Sequence, residues 1–473
     1  MTILDALAAA IGRDYVLTGD ATAKWQSDWL SHYSSSPMAV LRPASTEDVS
    51  RILKIANEHR VPVVPVAGNT GLAGAATTTG GLMLSLDRMN TIRDIRPAAR
   101  IAVVEAGVVL DQLRDAAAER GLLFPLKIAS GGSAMIGGAL STNAGGSNVL
   151  RYGSTRALCL GVEVVLPDGR VMDLMAELHK DNTGFDLRDL FIGAEGTLGV
   201  ITAAVIKLQK MPTAYATAMI AMRSLPDALR LLRRLQDETG NAVEAFEYMD
   251  AAYMERYLEV TPDGTPPFDR PHDVNILVEV VASSEQEGQV GPDGSVPVQR
   301  KLESVLAEMF DDGAVLDATI AQSQTQRRAL WSRREAAAAI AHGLKPFVDT
   351  DICLPLDAVA EFFDRIAPLV SALDHGVRTI SVSHLGDGNV HYSLYPTSDD
   401  PELADKLTET TEDVVLSLGG SFSAEHGIGV SKLNSMKRRK DPVALDVMRK
   451  IKASLDPLGI MNPGKVIPRA ENP

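Results

Sequence analysis

The sequence predicts an α+β fold divided into more than one domain, on three observations. The chain has 473 residues, too many for one hydrophobic core when domains usually hold about 100–200. From about Ser45 to Val205 helical and strand periods alternate with glycine loops. Near Met211-Pro212 the composition shifts, and a second run of strands and helices begins.

Met1 to Gly12 reads as a short amphipathic helix, without the basic start and long apolar run of a signal peptide. Ser45 and Thr46 can cap a helix to His59, with Val49, Ile52, Leu53 and Ala56 on its apolar face. Strands follow at Val61–Ala67, Leu82–Leu86 and Arg100–Gly107, then a helix from Leu110 to Arg120 stopped by Gly121. Leu160–Leu166 and Gly199–Leu208 are further strands. In the second region Ala214–Met222 and Val274–Val281 read as strands and Ser224–Thr239 as a helix stopped by Gly240. Thr261–Asp273 and Ser283–Pro297 read as surface insertions. A helix is expected from Gln322 to about Ala341 and another from Pro442 to Leu455. The domain boundaries expected are 1–210, 211–416 and 417–473.

Composition narrows the function. With 45% hydrophobic and 23% charged residues the chain reads as globular. A net charge of −15 argues against a nucleic-acid partner, which needs a basic footprint. Local positive charge still suffices for a small anion. Cys159 and Cys353 form no CxxC pair, so no disulfide scaffold is expected and a reducing, cytoplasmic location is. No run of about 18 apolar residues marks a membrane span. Peripheral membrane attachment and a homodimer both stay open.

Three glycine loops stand in the first region. Gly68-Asn69-Thr70-Gly71-Leu72-Ala73-Gly74 follows a strand but opens no helix and lacks Gly-Lys-Ser/Thr, unlike a dinucleotide fingerprint or P-loop. The second runs from Gly131 through Gly137-Gly138 to Thr142-Asn143-Ala144-Gly145-Gly146. The third runs from Asp181–Asp186 to Gly193-Ala194-Glu195-Gly196-Thr197-Leu198-Gly199-Val200-Ile201. A single such loop is as easily a structural turn. Three in one domain suit a large pyrophosphate cofactor approached by backbone.

These stretches resemble the FAD-binding domain of the vanillyl-alcohol oxidase superfamily, and most closely its FAD-linked D-2-hydroxy acid dehydrogenases. The likeness extends over nearly the whole chain, to the ending Asn462-Pro463-Gly464-Lys465. It implies two subdomains clasping FAD, an α/β cap domain for the substrate, and a C-terminal segment returning to the flavin. The residues it assigns to FAD are Gly68, Asn69, Thr70, Gly71, Leu72, Gly137, Gly138, Thr142, Asn143, Gly146, Gly196, Gly199, Val200, Ile201 and Asn462. No histidine lies in the three loops, so the FAD is expected to be non-covalent.

Ser383-His384-Leu385-Gly386-Asp387-Gly388-Asn389-Val390-His391-Tyr392 reads as a β-hairpin. With Asp387-Gly388 as a two-residue turn, His384 opposes His391 on one face, close enough to share a metal ion. Glu425-His426 adds a carboxylate, and two imidazoles with one carboxylate form a common divalent-metal set. Two histidines on a polar sheet face are the plainer alternative.

In the family resembled, positions matching His384, His391 and Glu425 hold the metal, zinc or manganese, and the position matching His426 is the base. The match to Arg334 in Leu330-Trp331-Ser332-Arg333-Arg334-Glu335 binds substrate carboxylate, and Arg333 reads as a solvated neighbour. The implied chemistry is oxidation of a small D-2-hydroxy acid, of the D-lactate or D-2-hydroxyglutarate class. A cation beside the hydroxyl makes it acidic enough for an imidazole to take the proton, and the flavin takes the hydride. Two departures leave the substrate open. Asp349 stands where the D-2-hydroxyglutarate branch has a lysine, with Lys345 nearby, and Ala338 replaces a hydroxyl residue. The electron acceptor is equally open among a quinone, a cytochrome and an electron-transfer flavoprotein. Rival readings are a metal-dependent hydrolase without flavin, a non-catalytic flavin subunit, and an oxygen-using oxidase of the same fold.

Overall fold

The computed structural model describes residues 1–29, 31–292 and 294–469. They form two compact units. One comprises Met1–Gly145, Gly153–Lys210 and the chain from Glu425 onward; the other comprises Gly146–Tyr152 and Met211–Ala424.

Among the described residues the first unit holds two larger sheets and a two-stranded pair, Leu122–Leu123 with Gln209–Lys210. A four-stranded sheet runs in the order Val16–Leu17, Ala39–Leu41, Leu82–Ser85, Val63–Val66, its last three strands parallel. The helix Thr46–His59 connects two of them. The Ser45 hydroxyl accepts the Asp48 N–H at its start, and Val49, Ile52, Leu53 and Ala56 are buried. The second sheet is antiparallel, in the order Ile92–Arg96, Ile101–Glu105, Val200–Lys207, Cys159–Val165, Val171–Leu174. The chain's end returns to the first sheet. The Val63 N–H donates to Ile460 O at 2.8 Å and the Asn462 N–H to Val63 O at 2.9 Å. Ile460 and Met461 are buried in the core of that sheet.

One expectation fails here. The second glycine loop contains a helix, Ile136–Thr142. Glycine is a poor helix former, but here its missing side chain is what packing requires. A Cβ on Gly137 would come within 2.8 Å of Ala106 Cβ.

The second unit is built on a seven-stranded antiparallel sheet. Its order is Val315–Ile320, Ala214–Met222, Val274–Ala282, Val243–Asp250, Arg378–His384, Asn389–Tyr395, Val348–Cys353. One face carries Phe246, Val278, Ile352 and Leu394 against the helices Leu225–Thr239, Pro297–Asp311, Val359–Leu373 and Pro401–Ser417. The other face is part apolar, with Met249, Leu277 and Val382, and part charged. The helix expected over Gln322–Ala341 breaks in two, Gln324–Glu335 and Ala337–His342. Arg333 is not solvated. It is buried, donates to Thr265 O at 2.6 Å and so ties down the insertion after Thr261. Among the described residues no helix is long and apolar enough to cross a membrane.

Asp250 ends the strand Val243–Asp250 and caps the helix Ala251–Val260, accepting the N–H groups of Tyr253 at 2.7 Å and Ser381 at 2.8 Å. Burial pushes its carboxyl up to about 7, against the pull of these donors. An acid whose pKa is raised by folding stabilises the fold in its neutral form. That contribution is complete below the unfolded pKa of about 4 and is lost as pH rises through 7. The melting temperature of Asp250→Asn relative to wild type should therefore climb between pH 4 and 7 and level off above, following about 1.4 kcal/mol per pH unit. A pH-independent difference would mean that Asp250 is ionised in both states.

Candidate active site

The glycine-loop residues gather in the first unit, Gly146 excepted, which opens the short segment of the second. Gly68 follows the strand Val63–Val66, and a Cβ there would lie 2.1 Å from Ser133 O. The first two loops can therefore touch only through glycine. Gly71 faces open space. Gly193 N–H and Glu195 N–H donate to Leu140 O and Ser141 O at 2.9 and 2.8 Å, which hangs the third loop on the Ile136–Thr142 helix. Gly196, Gly199, Val200 and Ile201 are buried where the Val200–Lys207 strand begins, and Asn69, Thr70, Leu72, Gly138 and Thr142 are half-buried. Asp181–Asp186, the first part of the third loop, is exposed throughout.

Backbone strain marks the same places. Asn69, Asn143, Glu195 and Asn462 all have positive φ, between 39° and 54°, a conformation that non-glycine residues keep only where the surroundings enforce it. Asn462 donates to Ala75 O at 3.0 Å and Glu195 O at 2.7 Å. Its buried Oδ1 has no partner among the described residues. A cluster of close-packed glycine backbone, an open Gly71 and an orphaned amide oxygen fits a polar cofactor.

Glu195 was missed as a site residue. Its carboxylate accepts the N–H groups of Ile428 at 2.7 Å and Gly429 at 2.8 Å. Burial raises its pKa even so. It thereby anchors, in the same unit, the segment that carries Glu425 and His426.

In the second unit the hairpin register corrects the expected one. His384 pairs with Asn389, and His391 with Val382. The loop holds four residues, Leu385–Gly388, with the Asp387 and Gly388 N–H groups both donating to His384 O, at 3.1 and 3.2 Å. The slip amounts to two residues, so the face is preserved. His384 and His391 are diagonal neighbours with ring centroids 5.7 Å apart. Gly388 has φ +83°, and a Cβ would meet Leu354 O at 2.1 Å, so only glycine fits at this corner of the loop.

The same sheet face carries a row of buried carboxylates. Glu279 takes both Nε and Nη2 of Arg327 at 2.6 Å, Trp331 Nε1 at 2.9 Å and the Thr217 hydroxyl at 2.6 Å. One strand over, Glu247 takes Arg334 Nε at 2.5 Å and His384 Nδ1 at 2.8 Å. Arg327 and Arg334 are two helical turns apart, so the Gln324–Glu335 helix lays each on its own strand. Burial raises the Glu247 pKa, but His384 and Arg334 outweigh it and hold the carboxyl below its usual range. Asp351 accepts Asn389 Nδ2 at 3.1 Å, and Asn389 Oδ1 is buried without a partner among the described residues. Two imidazoles beside an unsatisfied oxygen suit a divalent cation. Glu247, like Glu195, escaped sequence reasoning. The signal available was a pair of carboxylates, Glu244 and Glu247, inside an otherwise apolar strand, Val243-Glu244-Ala245-Phe246-Glu247-Tyr248-Met249.

The comparisons with known proteins agree with this reading of the first unit. Residues 37–175 match the FAD binding domain model and residues 211–466 match that of the FAD linked oxidases, C-terminal domain. The solved structure of p-cresol methylhydroxylase is similar with a TM-score of 0.75, at 17% identity over 98% of this chain and 96% of that one. Family models and fold together define an FAD-dependent oxidoreductase with a fold like that of p-cresol methylhydroxylase. The mitochondrial D-2-hydroxyglutarate dehydrogenase of Danio rerio is 36% identical over 93% of this chain and 80% of its own. The D-2-hydroxyglutarate dehydrogenase of Stutzerimonas stutzeri is 33% identical over 98% of both. The chain belongs to the FAD-linked oxidase family that contains these dehydrogenases.

Proposed function

We propose that this chain oxidises a D-2-hydroxy acid of the D-2-hydroxyglutarate or D-lactate class to the 2-oxo acid. The observation that carries the reading is the convergence of Arg334 and His384 on Glu247, which supports a role for Arg334 in binding a carboxylate beside a metal ligand. The names of the relatives support the same class. The loops at Gly68–Leu72, Gly137–Asn143 and Gly196–Ile201, with Asn462, would hold FAD, and His384, His391 and Glu425 would hold Zn²⁺ or Mn²⁺. When bound, the flavin supplies the hydride acceptor and the cation the acidity of the substrate hydroxyl. Arg334 binds the substrate carboxylate, for which its planar fork is shaped. His426 takes the hydroxyl proton.

The test is anaerobic reduction of the purified yellow protein by D-2-hydroxyglutarate, D-malate and D-lactate. FAD should be released by denaturation, and D-isomers should bleach the flavin faster than L-isomers. Bleaching by none of them would overturn the reading. Asp349 is exposed on the edge strand Val348–Cys353, paired in register with Ser393. It would repel a distal carboxylate, so kcat/KM for the three acids should agree within about a hundredfold, roughly 2.7 kcal/mol. A larger preference for D-2-hydroxyglutarate would show that another cation meets its second carboxylate.

A further inference from the structure

We infer that Glu247 is the positioning residue that fixes the proton of His384 on Nδ1 and turns its Nε2 lone pair toward the metal. The inference deepens the function proposed above and rests on that reading for the metal alone. Glu247 sits mid-strand with 0% exposure, where an ionised carboxylate must have its oxygens filled by donors. His384 Nδ1 lies 3.0 Å from Oε1 and 2.8 Å from Oε2. An acceptor-only carboxylate at these distances requires the hydrogen on Nδ1. Arg334 Nη2 lies 3.1 Å from Nε2 and 3.4 Å from Nδ1, nearly equidistant from the two nitrogens, so the carboxylate contact alone selects the tautomer. A carboxylate behind a ligating histidine is the usual means of orienting the ring and raising its basicity.

Arg334 also dictates what an isosteric change does. In Glu247→Gln the Arg334 Nε–H still needs an acceptor, so the amide oxygen turns to it and the amide NH₂ turns to His384. Nδ1 must then accept, and the proton moves to Nε2, where it blocks the metal. A variant of nearly the same shape thus inverts the tautomer.

The experiment uses the FAD-loaded chain with selectively ¹⁵N-labelled histidine, stripped of metal, followed by titration with Zn²⁺ and Mn²⁺. Wild type should show one imidazole with protonated Nδ1 and bare Nε2 that disappears in His384→Gln. Glu247→Gln should show the opposite tautomer and bind metal about 10–100-fold more weakly, with its FAD content unchanged. A His384 ring protonated on Nε2 in wild type overturns the inference without recourse to any variant. So does a Glu247→Gln chain that keeps the wild-type tautomer and affinity. If the tautomer is as expected but wild type takes up neither ion, the metal reading falls and the tautomer assignment stands.

Discussion

His426→Ala is expected to slow flavin reduction by about 10²–10⁴-fold, the usual worth of a general base, with FAD still bound. The variant should be well folded, because the segment is held by its backbone. Ile428 and Gly429 donate to Glu195, and Gly427 has φ +79°, where an added Cβ would lie 2.8 Å from Glu195 Oε1. None of these contacts involves the imidazole. Its side chain is 18% exposed and Nε2 lies 3.9 Å from Glu425 Oε1. Stopped-flow reduction under anaerobic conditions, at several pH values, gives the answer. A variant reduced at the wild-type rate would assign the base to another group.

The elements most legible in the sequence were those with both ends written locally. The Leu225–Thr239 helix has Ser224 accepting the Asp227 N–H at one end and left-handed Gly240 at the other, and Pro442–Leu455 starts at an Asp441 cap. What failed was set by partners distant in sequence. The Asp387-Gly388 turn yields to a four-residue loop in which Leu354 crowds Gly388. Ile136–Thr142 is helical because Ala67 and Ala106 pack where side chains are missing. The face of the hairpin was readable, since a two-residue slip keeps side-chain parity, whereas the residue opposite His384 was not. Buried charges were the hardest. Glu247 meets Arg334 and His384 across 87 and 137 residues, and nothing in the local periodicity of either strand or helix announces such a pairing. Arg333 and Arg334 look alike in sequence, yet one ties an insertion to the fold and the other faces a carboxylate beside a histidine.

His384→Ala, or stripping wild type with a chelator, should abolish turnover while leaving the flavin in place. Two arguments separate the effects. First, the contacts of His384 described above are with Glu247 and Arg334, and neither is among the residues assigned to FAD. Second, in a hairpin whose partners are otherwise unchanged, Arg334 keeps its ion pair with Glu247 at 2.5 Å. Substrate carboxylate binding should survive, and KM should change less than kcat. A metal ion is worth several kcal/mol to a hydroxyl that must lose its proton, and each 1.36 kcal/mol is tenfold in rate. The expected fall is therefore about 10³-fold or more. Metal content by mass spectrometry, the visible flavin spectrum and anaerobic reduction would be read on the same sample. Added Zn²⁺ or Mn²⁺ should restore stripped wild type and should not restore His384→Ala. Full turnover by metal-free wild type would remove the cation from the mechanism and leave His384 as an orienting partner of Arg334 alone.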